Sequence, residues 1–127
     1  MNTILKVIIE SPFRPICKKS KIPFFGKLFD TWKHNRLLKR NIDYGFKCVK
    51  WCIDRGYSPI ASHLLFPVVI NDDNEDERKK GMDLGHAWID TCDMMVVFTD
   101  YGVSEGMRIA IEKANKIGKT IAYHEIL

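Results

Sequence analysis

A chain of 127 residues holds one domain with room for a real core. Its 46% hydrophobic and 28% charged residues fit a globular protein and exclude disorder. The apolar runs, Ile4–Ile9 and Met94–Phe98 among them, fall far short of the roughly 20 residues a membrane helix needs.

Charge is spread unevenly. The net charge is +4, and Arg14–Arg40 holds nine Lys/Arg against a single acid, Asp30. That basic stretch is interleaved with Phe24, Phe25, Phe29 and Trp32. It reads either as a surface for nucleic acid or an acidic partner, or as an inserted loop with packed aromatics and solvated lysines. No nucleic-acid motif accompanies the charge, so the second reading is favoured. Lys6 interrupts the first apolar run and no small-residue cleavage site follows it, which is unlike a signal peptide and points to the cytoplasm. The four cysteines, at 17, 48, 52 and 92, form no CxxC pair. They are read as reduced core thiols rather than a metal site.

Ile4–Glu10 is apolar and β-branched, and Ser11-Pro12 ends it, so it reads as a central parallel strand. Residues 16–32 lack periodicity and contain Pro23 and Gly26, which suggests an irregular excursion. From about Lys33 to Arg55 the pattern is helical, with an inward stripe of Ile42, Gly45, Phe46, Val49, Cys52 and Ile53. Gly56 follows as its cap. Tyr57–Ser62 reads as a short strand continued by an apolar loop, His63–Ile70.

Asp72, Asp73, Glu75, Asp76 and Glu77 precede Arg78, Lys79 and Lys80. Acids leading and bases following match a helix dipole, so the cluster reads as a helix start rather than a metal site. That helix runs to about Thr91 with Met82, Gly85, Trp88, Ile89 and Cys92 inward. Met94–Thr99 is the third strand, Ser104–Ile117 the third helix, and Lys119–Tyr123 the fourth strand, reached through Gly118. The β-α-β-α-β-α-β alternation predicts a three-layer α/β sandwich of the flavodoxin or Rossmann kind. Four or five parallel strands carry helices on both faces. Ligands in such sheets bind beyond the carboxyl ends of the strands.

Those ends carry polar groups. Ser11-Pro12-Phe13-Arg14 follows the first strand, Ser62-His63 the second, and Asp100-Tyr101-Gly102-Val103-Ser104-Glu105-Gly106-Met107 the third. In this order they resemble the nucleoside 2-deoxyribosyltransferase-like superfamily, specifically a small branch of largely uncharacterised bacterial and phage proteins. The likeness rests on Ser-Pro-aromatic-Arg at 11–14 and on Gly56, Pro59, Ala61, His63, Leu64, Leu65 and Phe66. It continues with the acidic stretch and glycine-containing helix of Asp72–Gly85, then Cys92-Asp93, Val97-Phe98 and Ser104–Met107. It covers residues 1–127 as a single domain, except for about 16–36, which looks like an insertion.

The resemblance implies a pocket for a nucleotide-type small molecule with no cofactor or metal, and it implies at least a homodimer. The ligand-binding set it suggests is Ser11, Pro12, Phe13, Arg14, His63, Asp100, Ser104, Gly106 and Met107. Enzymes of this superfamily cleave or exchange N-glycosidic bonds, with a glutamate of the last helix attacking the sugar. Counting four residues on from Gly106 places that glutamate at Ala110, whose methyl cannot form a glycosyl ester. Glu112 lies about 200° around the helix from it, whereas Glu105 sits in the turn and is the better replacement nucleophile. The expected function is therefore nucleotide binding in a sequestering or sensing role. The alternatives are an active N-glycosidase or deoxyribosyltransferase using Glu105, and a binding module built on the basic insertion. His63 and Arg14 each have a bland reading as well, a hydrogen-bonded strand-end histidine and a solvated surface cation. Asp93 reads as a turn residue.

Overall fold

The computed structural model describes residues 3–15 and 26–127. Its strands are β1 (Lys6–Glu10), β2 (Ser58–Ile60), β3 (Met94–Phe98) and β4 (Thr120–His124). Its helices are α1 (Gly26–Asp54), α2 (Ser62–Val69), α3 (Glu75–Thr91) and α4 (Glu105–Lys116). The four strands form one parallel sheet in the order β2-β1-β3-β4. This is the order of flavodoxin-like doubly wound sheets, whose switch point falls between β1 and β3.

β1 and β3 are covered on both faces, which is why each is an unbroken apolar run. Val7, Ile9, Val96 and Phe98 meet Tyr44, Cys48 and Cys52 of α1 on one side. Ile8, Met95 and Val97 meet Ile89 of α3 and Met107, Ala110 and Ala114 of α4 on the other. The expected three-layer sandwich is present. At the amino ends, Asp93 fastens β3 to β1. The Lys6 N–H donates to its carboxylate at 2.7 Å, and the Asp93 N–H donates to the Lys6 carbonyl at 2.8 Å. Asp93 thus has the turn role read for it.

Four expectations need correction. The first long helix begins at Gly26 rather than near Lys33, so residues 26–36 of the supposed insertion belong to α1. Residues 16–25 lie outside the described residues. The missed turns, residues 26–32, carry no sustained apolar stripe in the sequence from which to read a helix, although no proline falls among them. The inward stripe of α1 is also displaced. Tyr44, Cys48 and Cys52 are buried, while Phe46 is 60% and Ile53 56% exposed. Apolar residues occur on both sides of this helix, and only the set spaced i, i+4, i+8 meets the sheet.

The third correction concerns His63–Ile70, read as a loop. Most of it is α2, with Pro67 inside and no buried residue. Continuous apolar sequence has no period from which to recognise a helix. The fourth concerns Trp88, which is 43% exposed rather than core. Gly85 and Ile89 take the inward face of α3 instead. Two glycines seat α2 closely between its neighbours. A Cβ built on Gly45 would lie 2.7 Å from the Leu64 side chain, and one on Gly85 would lie 2.7 Å from Ser62 Oγ.

Candidate functional site

A cavity of about 470 Å³ opens at the carboxyl end of the sheet. Its lining comes from the loop after β1, from α2 and α3, and from the first turn of α4. Loops leaving β1 and β3 flank it, so it occupies the switch point where such sheets hold ligands.

Its floor is built by β1. Side chains alternate along a strand, so Glu10 follows Ile8 onto the α3/α4 side of the sheet. Glu10 is 8% exposed and Ser11 3% exposed. Burial pushes the Glu10 carboxyl up to about 8, so it holds a proton at neutral pH. Beside it, Ser11 Oγ and His63 Nε2 lie 2.7 Å apart in a hydrogen bond that ties the β1 loop to α2. Burial draws His63 down to about 4, leaving a neutral imidazole. The loop is held from its other side by Asn41, whose Nδ2 donates to the Phe13 carbonyl at 3.0 Å.

The opposite rim is α4. Ser104 caps it, accepting from the Met107 N–H at 3.3 Å. The N–H groups of the first helical residues have no partner inside a helix and favour anions. Gly106 presents bare backbone there, and apart from its own turn of the helix nothing lies within 4 Å of where a Cβ would stand. Arg14 lines the same cavity and is exposed, so positive charge sits toward the mouth. Phe66, Pro67, Ile70 and Met82 supply apolar walls. Farther around, His86 is drawn below its ordinary value by burial and by the Lys113 ammonium, whose Nζ lies 2.9 Å from Nδ1.

Of the expected ligand-binding set, the cavity gathers Ser11, Phe13, Arg14, His63, Ser104, Gly106 and Met107. Pro12 is buried but does not line it. Asp100 does not line it either, and its carboxylate is committed elsewhere. It accepts from the Tyr44 hydroxyl at 2.5 Å and from the Ile126 and Leu127 N–H groups. Partial burial works against its charge, but these hydrogen bonds outweigh that and hold the carboxyl below its ordinary value.

Glu105 does line the cavity, yet both carboxylate oxygens are engaged by Arg108. Those hydrogen bonds hold it below the usual carboxylate range. Glu112 also pairs with Arg108. Ala110 is fully buried against Ile8, Met95 and Val97, on the core side of α4. Sequence reading passed over Glu10, Phe66, Met82 and Arg78. The signal for Glu10 was a charged residue closing an otherwise apolar buried strand.

Residues 5–124 match a family described as a domain of unknown function, DUF7768. The chain belongs to that family. No curated protein and no solved structure matches it. In this DUF7768 protein no helix among the described residues is long and apolar enough to cross a membrane. Among the same residues no cluster of three or more His, Cys, Asp or Glu could hold a metal ion. The DUF7768 cavity offers a ligand hydrogen-bonding side chains, two arginines (Arg14 and Arg78) and the backbone at the start of α4.

Proposed function

We propose that the cavity binds a nucleotide or nucleotide-derived small molecule and that the protein sequesters or senses it rather than turning it over. The observation that carries this reading is the pairing of a helix N-terminus and Arg14 with apolar walls at the β1/β3 switch point. Such a site suits a ligand with an anionic end and a flat apolar end. The motif likeness to deoxyribosyltransferase-like proteins supports the same ligand class. Catalysis is disfavoured because the expected nucleophile position is a core alanine, Ala110.

A thermal-shift series with nucleoside monophosphates tests binding, since a ligand of the folded state raises the melting temperature. Absence of any shift at millimolar ligand overturns the reading. The alternative, an N-glycosidase using Glu105, draws on the ionised state that Arg108 gives that carboxyl. Release of free base on prolonged incubation with deoxynucleoside monophosphates decides for it. The buried free thiols of Cys48, Cys52 and Cys92 support a cytoplasmic setting. Exposed Leu65, Val68 and Val69 on α2 support self-association.

The basic face of α1 supports a different reading, binding of nucleic acid. There Arg36, Lys39, Arg40 and Lys47 line a second, smaller depression with Tyr101. A steep loss of DNA affinity with salt is its signature.

A further inference from the structure

Glu10 is the one residue of the cavity floor whose chemistry the nucleotide reading leaves unused. No described residue donates a hydrogen bond to its carboxyl or pairs with it, and desolvation alone perturbs it. Among the described residues no fully enclosed side-chain oxygen or nitrogen lacks a partner. The unpartnered carboxyl oxygens must therefore open onto the cavity that Glu10 lines. A buried polar group without a partner costs stability, so a ligand that supplies the missing hydrogen bonds gains from doing so.

Exposure grades across the cavity and gives the ligand a direction. Arg14 and Glu105 are exposed at the mouth, whereas Glu10 and Ser11 are buried at the floor. A phosphate belongs with the exposed cation and the helix N-terminus. The ring then lies inward, between the apolar walls and over the floor.

We propose that Glu10 reads the base, its carboxyl pairing edge-on with two adjacent hydrogen-bonding positions of the ring. This rests on the nucleotide reading given above. A protonated carboxyl offers one donor and one acceptor, which match the adjacent donor–acceptor pair found on every common nucleobase. An ionised carboxylate offers acceptors alone and matches the two neighbouring N–H donors of guanine. Selectivity therefore changes with the proton on Glu10, from indifference among bases to preference for guanine.

The charged and titratable groups facing Glu10 across the cavity are Arg14, His63 of α2, Asp72, Arg78 and His86 of α3, and Glu105 of α4. Burial lowers both histidines, and Arg108 lowers Glu105. His63, near 4, and Glu105, held below its ordinary value, keep their charge between pH 6.5 and 8.5, the window in which a carboxyl near 8 changes its own.

The test is calorimetric titration of the full chain with AMP, CMP, UMP, GMP and ribose 5-phosphate at pH 6.5 and 8.5. At the lower pH the four nucleotides bind within about tenfold of one another and well above the sugar phosphate. At the higher pH, AMP, CMP and UMP weaken about fourfold while GMP does not, following the protonated fraction of Glu10. Ribose 5-phosphate corrects for ionisation of the phosphate itself. The Glu10→Gln variant keeps a donor and an acceptor, so its affinities stay indifferent to base and flat with pH. Glu10→Leu brings the nucleotides down toward the sugar phosphate.

Equal pH responses of GMP and the other three overturn the proposal while leaving the nucleotide reading intact. So does a selectivity change that persists in Glu10→Gln. Binding by none of the five ligands overturns both.

Discussion

Glu10 ends a strand whose preceding residues, Val7, Ile8 and Ile9, are wholly buried, so its carboxyl meets apolar neighbours before it meets water. Its folded value, about 8, stands above the ordinary 4.5. The proton is held more tightly in the folded chain, so this residue's contribution is complete below pH 4.5 and lost as pH rises to about 8. Glu10→Gln removes that loss. In thermal unfolding the variant is expected to match the wild type near pH 4 and to exceed it by pH 8, by on the order of 4 kcal/mol. Parallel curves for the two proteins across that range count against the assignment. His63 runs the other way, its stabilising neutral state being complete above pH 6.5 and lost as pH falls toward 4. Gly106 gives a second test at this scale. Alanine there gains up to about 1 kcal/mol of helix propensity, because nothing obstructs its methyl. The same methyl intrudes where a ligand meets the backbone, so Gly106→Ala is expected to unfold later in urea and yet give a smaller nucleotide-induced thermal shift.

At the scale of elements, α4 and the turn before it were legible because Ser104 marks a cap and Met107, Ala110 and Ala114 recur at helical spacing. β1 and β3 were legible as apolar β-branched runs. The start of α1 and the whole of α2 were not, for opposite reasons: one lacks a stripe and the other is apolar all round. Asp100 was misjudged because a turn acid beside a glycine-rich helix start looks like a ligand contact. Its actual partners, Tyr44 and the backbone of Ile126 and Leu127, are far away in sequence and invisible to local pattern. Asp100 holds α1, the β3 turn and the chain after β4 together. Asp100→Ala is therefore expected to cost about 1–3 kcal/mol in urea unfolding from lost charged hydrogen bonds. It should leave nucleotide-binding enthalpy unchanged, and an altered enthalpy places Asp100 back in the site.

For the whole molecule, alternation of strands and helices was enough to give a parallel three-layer sheet, since right-handed crossovers leave few other arrangements. That ligands bind beyond the carboxyl ends of the strands also followed, whereas the switch point did not, because it depends on the strand order β2-β1-β3-β4 that only the structure gives. The floor of the cavity did not, since which side of β1 a residue faces depends on register. The exposed apolar residues of α2 are a property of the molecule rather than of the sequence pattern. If Leu65, Val68 and Val69 form a self-association surface, Val68→Lys should shift the protein toward monomer in light scattering while its melting profile stays within about 0.5 kcal/mol of wild type. A wild-type protein that is monomeric at high concentration removes that reading.

The glycines at 45 and 85 have an evolutionary consequence. Each lets α2 approach through a gap that a single methyl would fill, Gly45 against Leu64 and Gly85 against Ser62. α2 carries His63 and Phe66 into the cavity, so a change in either gap reshapes the pocket from outside it. Positions 45 and 64 should therefore drift together, as should 85 and 62. Gly45→Ala with Leu64 retained is expected to be costly, and Gly45→Ala with Leu64→Val much less so, giving a favourable coupling energy in a double-mutant cycle. In other members of the family, the volume at one position of each pair should fall as the other rises.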